Sequence, residues 1–191
     1  GEEQRWRWLL LALVGYLLIT VAVTWPVASH LNRGPAGYDA RDSFQYTWSL
    51  WWAGKAWLEL GHSPAQLDYL YHPQGAYHPM LAATPLLEIT SLPLRFLPPV
   101  VVYIIQFLLS FVLCGMAVYL LCLELGQEPY ASFAAGALFI LFPHLMGHAA
   151  AGHRAQLASY WVLFFLVSLR RFWRRPTWAR GTRVSVSSTP R

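Results

Sequence analysis

Long uncharged, apolar runs are the feature that most restricts the folds available to this chain. Residues 8–28 contain no charged side chain, and as a helix they extend over about 31 Å, the thickness of a bilayer core. Two further uncharged runs cover residues 99–123 and 130–147, the latter rich in Ala and Gly. Because backbone polar groups inside a bilayer are satisfied within a helix, each run predicts a transmembrane helix.

A fourth run, residues 155–169, is shorter and is bounded by Arg154 and Arg170. It spans a membrane only if both arginines extend to the interfaces. With it, the chain is predicted to be an all-α membrane protein with about four transmembrane helices in a polytopic domain, residues 1–172. The basic, polar end, residues 173–191, is predicted to be disordered.

The composition agrees with a membrane protein. Hydrophobic residues make up 56% of the chain and charged residues 12%, against roughly 25% charged residues in soluble domains. The formal charge is +5, and most of the basic residues lie near the two ends of the chain, which is a topology signal rather than a nucleic-acid groove. The positive-inside rule predicts that both termini are cytoplasmic and that residues 29–98 form a long extracytoplasmic loop.

The loop contains a candidate surface helix. The stretch YDARDSFQYTWSLWW, residues 38–52, begins an apolar pattern of helical period over residues 43–60, and Gly61 follows where a C-cap is expected. Trp and Tyr prefer the headgroup region, so we predict an amphipathic helix on the outer membrane surface. Its candidate interfacial anchors or sugar-stacking residues are Trp48, Trp51 and Trp52.

A second apolar part of the loop, residues 80–97, is interrupted by Pro85, Glu88, Pro93 and Arg95. These interruptions are incompatible with an ordinary span. They predict an interfacial or re-entrant segment.

Asp42 has two compatible interpretations. The sequence DSFQ matches an N-cap residue followed by Gln at the third helical position, close to a capping box. Alternatively, Asp42 is a general base at the membrane surface, positioned by the start of the helix. Asp39 is the second candidate, or a solvated loop acid.

Histidines and arginines near the span boundaries supply further candidates. His144 and His148 are four residues apart and share one helix face, with His153 close behind; metal, haem or carbonyl contacts are alternatives for them. Arg95 and Arg154 are candidates to bind an anionic lipid phosphate, with ordinary snorkelling as the alternative.

The order of these features resembles a known family. A first span, a loop opening with DSFQYTWSLWW, then YHPQGAYHP, TPLLEITSLPL and a long second span resemble membrane glycosyltransferases of the GT-C fold, and more closely the little-characterised bacterial membrane proteins grouped with them. AAGALFILFPHLMGHAAAGHRAQLASYWVLFFL is similar to the third and fourth spans of that group. The resemblance covers residues 8–172.

This resemblance implies sugar transfer from a polyprenyl-phosphate donor to an acceptor at the outer face of a bacterial plasma membrane. An aspartate of the first outer loop is the base in that family; Asp42 fits best here and Asp39 second. Arg95, His153 and Arg154 are the expected cations for the leaving lipid phosphate. Some members use a divalent metal, but the chain has no DxD motif, so we predict no cofactor.

The family core has more spans than the four predicted here. Two interpretations therefore stay open: a transferase, or a partial chain, the N-terminal part of one, that is inactive by itself. An alternative function is that of a non-catalytic helical subunit of a membrane complex, packed through its Ala- and Gly-rich third span and its Trp-rich helix. A further alternative is a haem- or pigment-binding subunit that uses His144 or His148.

Overall fold

Eight α-helices lie within the residues that the computed structural model of this chain describes, which are 2–30, 33–37, 40–79 and 84–174. They are α1 Glu2–Val23, α2 Ala40–Lys55, α3 Pro85–Ser91, α4 Pro99–Glu124, α5 Pro129–Ile140, α6 Pro143–Ala150, α7 Arg154–Leu157 and α8 Tyr160–Arg174. Short 3₁₀ turns cover Val27–Ser29 and Leu92–Leu94. Two short strands, β1 Gln66–Leu67 and β2 Ala76–Tyr77, pair antiparallel with Gln66 opposite Tyr77.

Within the described part of the chain, three segments are long and apolar enough to cross a membrane: Glu2–Val23, Pro99–Glu124 and Pro129–Ala150. They correspond to the first three predicted spans, although the first begins earlier than predicted and the third consists of α5 and α6 in succession. The predicted fourth span is not confirmed. The chain turns after α7, and α8 has 15 residues, which gives about 22 Å of helix, short of a bilayer core.

Helix α4 is the centre of the helical core. In its most apolar stretch 61% of the residues are buried, against 17% for α1. Tyr16 of α1 is fully buried against α4 and α5, and its hydroxyl donates a hydrogen bond to the Phe133 carbonyl at 3.0 Å. A Cβ atom at Gly115 of α4 or Gly136 of α5 would clash with the Tyr16 side chain. The two glycines therefore permit the close approach of α1, α4 and α5.

Helix α2 covers most of the segment 43–60. It continues as a single π-helical turn, Ala56–Leu60, and ends at Gly61, which has a left-handed φ of 71° as the predicted C-cap requires. The helix begins at Ala40, so Asp42 lies within the first turn. The prediction that Asp42 is the N-cap is therefore wrong, although a carboxylate there still interacts favourably with the helix dipole. The location of this helix on a membrane surface stays a prediction.

The segment predicted to be interfacial or re-entrant, residues 80–97, contains α3 followed directly by the 3₁₀ turn Leu92–Leu94. The Glu88 side chain of α3 points into the protein and is only 2% exposed. Residues 80–83 lie outside the described residues. Of the tail predicted from residue 173, the first two residues end α8, and residues 175–191 lie outside the described residues.

Candidate functional site

Asp42 and His153 contact each other at the start of α2. His153 belongs to the turn between α6 and α7, and its Nε2 lies 2.7 Å from Oδ2 of Asp42. The Asp42 side chain is 50% exposed and that of His153 30% exposed. A carboxylate only accepts hydrogen bonds, so Nε2 of His153 is the donor. The structure thus pairs a half-exposed carboxylate with an imidazole that holds it in one orientation.

Two more histidines extend this contact into a series. Nδ1 of His153 lies 2.9 Å from Nδ1 of His148, and the ring of His148 meets that of His144 edge-on at 4.5 Å. The prediction that His144 and His148 share a helix face is confirmed. Because Nε2 of a neutral His153 carries its proton toward Asp42, its Nδ1 accepts from His148. The donors of both contacts therefore point toward Asp42, so the two histidines stabilise its carboxylate as a hydrogen-bond acceptor.

A buried ion pair lies directly beside this series. Arg154 is 0% exposed, and its Nη2 lies 2.9 Å from Oε1 of Glu88. The same Glu88 oxygen accepts a hydrogen bond from Thr84 at 3.0 Å, and Nη1 of Arg154 donates to Gln106. The Tyr46 ring lies 5.5 Å from the guanidinium carbon. Burial lowers the pKa of Arg154, and the Glu88 carboxylate opposes that effect, so the guanidinium remains charged.

Two further contacts fix the turn that carries His153. The Tyr103 hydroxyl of α4 lies 3.0 Å from the carbonyl oxygens of both Ala36 and Gly152. Gly152 has a φ of +74°, and a Cβ there would lie 2.9 Å from Cβ of Ser43. The residue before His153 therefore needs both a left-handed backbone and the absence of a side chain.

Of the predicted phosphate-binding cations, only His153 lies at Asp42 with exposed surface. Arg154 has no exposed surface and is neutralised by Glu88, so its geometry gives it a structural role. Arg95 forms an exposed ion pair with Glu59 at 3.1 Å. Glu59 follows Asp42 by 17 residues of continuous helix, which is about 25 Å of rise. Asp39 lies outside the described residues.

The three predicted interfacial tryptophans have different environments. Trp52 is fully buried, and its indole nitrogen donates a 2.8 Å hydrogen bond to the Pro64 carbonyl. The Trp48 ring stacks on it at 5.7 Å. Trp51 is 42% exposed, so it is the tryptophan of the three with the largest face open to a ligand or lipid. Burial of Trp52 leaves no face for sugar stacking and makes it a packing residue.

Sequence reasoning misses the partners of Arg154. In the sequence, Glu88 is only an interruption of an apolar segment, and Gln106 lies within an uncharged run. A signal is nevertheless present: an acid in one apolar segment and an arginine at the edge of another predict a mutual pair, because each is costly to bury alone.

No group of three or more His, Cys, Asp or Glu side chains in the described part of the chain has a geometry that could hold a metal ion. Comparisons of this chain with protein-family models, with curated proteins and with solved structures found no match.

Proposed function

We propose that this protein takes part in sugar transfer from a polyprenyl-phosphate donor, as a GT-C-like membrane glycosyltransferase or a part of one, with Asp42 as the general base. The observation that carries this proposal is the 2.7 Å contact between Asp42 and His153. It supplies what a base requires: a carboxylate with open surface, held in a fixed orientation.

In the proposed reaction, Asp42 takes the proton of an acceptor hydroxyl while the acceptor oxygen forms a bond to the anomeric carbon of the sugar. The bond from that carbon to the phosphate oxygen breaks, and the lipid phosphate leaves with the electron pair. His153 donates a hydrogen bond to the Asp42 carboxylate and fixes its orientation, and the proton leaves Asp42 for solvent from the half-exposed side of the carboxyl group.

The proposed setting is the outer face of a bacterial plasma membrane, with both termini cytoplasmic. Three helices of membrane-spanning length support an integral membrane protein, and the arginines near both ends of the chain support that orientation. The partners would be membrane lipid, the polyprenyl-phosphate sugar donor and other subunits of a membrane complex.

The substitution Asp42→Asn tests the base. It keeps the size of the side chain and removes its ability to accept a proton, and we expect transfer in membrane vesicles to fall by about 100-fold or more. Asp68→Asn is the matched control, because Asp68 also contacts a histidine, His62, at 2.7 Å but lies in the β1–β2 region. Unchanged transfer by Asp42→Asn, or an equal loss in Asp68→Asn, would contradict the assignment.

A further inference from the structure

A pocket of about 230 Å³ lies at the opposite end of α2 from Asp42. The described residues around it combine two basic groups, one acid, an aromatic ring and apolar side chains; among them are Leu50, Trp51, Lys55, Glu59, Arg95 and Leu97. It is separate from the Asp42 site, because about 25 Å of helix lies between Asp42 and Glu59.

The charges of this pocket form a three-member arrangement. Oε2 of Glu59 lies 3.0 Å from Nζ of Lys55, and Oε1 lies 3.1 Å from Nη2 of Arg95. The Glu59 contact raises the pKa of Lys55, and Lys55 lowers the pKa of Glu59, so both groups are charged near neutral pH. An arginine guanidinium is always charged in proteins. Two cations thus share one carboxylate, and the arrangement keeps a net charge of +1.

The Glu59 carboxylate has the position that an external anion would take. It bridges the two cations with one oxygen to each, as a phosphate does with two oxygens. Its side chain is 48% exposed, so it can turn outward without losing a buried contact. Lys55 is held in place independently of Glu59, because its Nζ lies 5.6 Å from the centre of the Tyr69 ring and 5.9 Å from that of Trp51.

The other side of the pocket is apolar and adjoins a helix of membrane-spanning length. Pro99 and Val102 of α4 line the pocket, together with Leu92 and Leu97. The pocket therefore lies where α4 begins, at the level at which a spanning helix meets phospholipid headgroups. Cations above an apolar wall match a molecule that carries a phosphate at one end and hydrocarbon at the other.

We infer that this pocket binds the phosphate diester of an anionic phospholipid between Lys55 and Arg95, with displacement of the Glu59 carboxylate. The bound lipid is a membrane component and not the sugar donor. In a transfer reaction only the acceptor oxygen and one sugar carbon separate the base from the donor phosphate, which is a few ångströms. That distance is much shorter than the length of helix between Asp42 and this pocket, so a phosphate bound here is too far from Asp42 to be the donor's. Lipid binding in the pocket therefore does not depend on whether Asp42 is a base.

Lipid binding to the purified full chain in neutral detergent micelles tests this site. Native mass spectrometry gives the fraction of protein that carries phosphatidylglycerol, with phosphatidylcholine as the neutral comparison. We expect Lys55→Gln and Arg95→Gln each to weaken phosphatidylglycerol binding by about tenfold. We expect Glu59→Gln to strengthen it several-fold, because the competing carboxylate is gone. Arg33→Gln, which removes an exposed arginine elsewhere, should leave binding unchanged.

A measurement on the unaltered protein avoids any question of variant folding. Lys55 is the only lysine in the sequence, so acylation of its side-chain amine is identified by mass spectrometry without ambiguity. Phosphatidylglycerol should slow acylation of Lys55, and phosphatidylcholine should not. Equal protection by both lipids, no weakening in Lys55→Gln and Arg95→Gln, or full displacement of the lipid by millimolar inorganic phosphate would each overturn the inference.

Discussion

The guanidinium of Arg154 lies 2.9 Å from the carboxylate of Glu88, and the two side chains are 0% and 2% exposed. Arg154 directly follows His153, which contacts Asp42. The buried pair consequently fixes the chain one residue away from His153, the partner of the candidate base, and it joins α3 to α7. We interpret Glu88 and Arg154 as positioning residues for the Asp42–His153 contact.

Glu88→Gln should destabilise the protein by about 3–5 kcal/mol, because it leaves a buried guanidinium without its counter-charge. The free energy of unfolding, measured by titration with a denaturing detergent, checks this. Glu59→Gln is the matched control: the chemical change is the same, but the ion pairs of Glu59 are exposed, so its loss should destabilise the protein much less than the loss of Glu88. The double variant Glu88→Leu, Arg154→Met should be more stable than Glu88→Gln, since no buried charge remains. Equal stability of Glu88→Gln and Glu59→Gln would contradict this account.

Gly152→Ala should destabilise the turn that carries His153. A Cβ at this residue would lie 2.9 Å from Cβ of Ser43 and 3.0 Å from the carbonyl oxygen of Ala36, in a backbone with a φ of +74°. We expect a loss of about 1–3 kcal/mol and a change in the NMR signals of the His153 ring. Gly147→Ala is the control, because Gly147 lies in α6 and a Cβ added there would meet no neighbouring atom within 4 Å, so alanine should be neutral or stabilising. Similar effects of the two substitutions would refute the packing argument.

The pair His62–Asp68 should make the β1–β2 region sensitive to pH. A hydrogen bond to the Ser63 carbonyl, aided by Asp68, raises the pKa of His62 above its ordinary 6.5. A hydrogen bond from Gln66, aided by His62, lowers the pKa of Asp68 below its ordinary 3.8. The histidine contribution to stability is thus complete below pH 6.5 and is lost as the pH rises through the raised pKa. The aspartate contribution is complete above pH 3.8 and is lost as the pH falls through the lowered pKa.

An NMR titration of the His62 ring checks this prediction. His62 should titrate above 6.5, and Asp68→Asn should shift its midpoint downward because the neighbouring negative charge is removed. Asp42→Asn, which removes a carboxylate from the other histidine contact, should leave His62 unchanged. A midpoint at or below 6.5 in the unaltered protein would show that this pairing does not hold in solution.

Local patterns predict the helices well. The uncharged runs that form α1 and α4, and the helix that ends at Gly61, depend on residues close together in sequence: apolar spacing and a left-handed glycine. The candidate site is less accessible to sequence reasoning. Asp42 and His153 are both candidates, but their contact depends on how α2 packs beside the α6–α7 turn, and Glu88 and Arg154 are 66 residues apart. Burial also decides what Arg154 does. The sequence leaves phosphate binding and snorkelling as alternatives, whereas the structure buries its guanidinium against Glu88.

The tryptophans of α2 provide a last test, because the sequence treats Trp51 and Trp52 alike and the structure does not. Trp52→Phe removes the 2.8 Å hydrogen bond to Pro64 from a fully buried ring, so we expect a loss of about 1–3 kcal/mol in the free energy of unfolding. Trp51→Phe keeps an aromatic ring at a residue that is 42% exposed and should cost about 0.5 kcal/mol or less. Equal losses, accompanied by equal changes in membrane association, would instead mean that both residues are interfacial anchors and that Trp52 is not a packing residue.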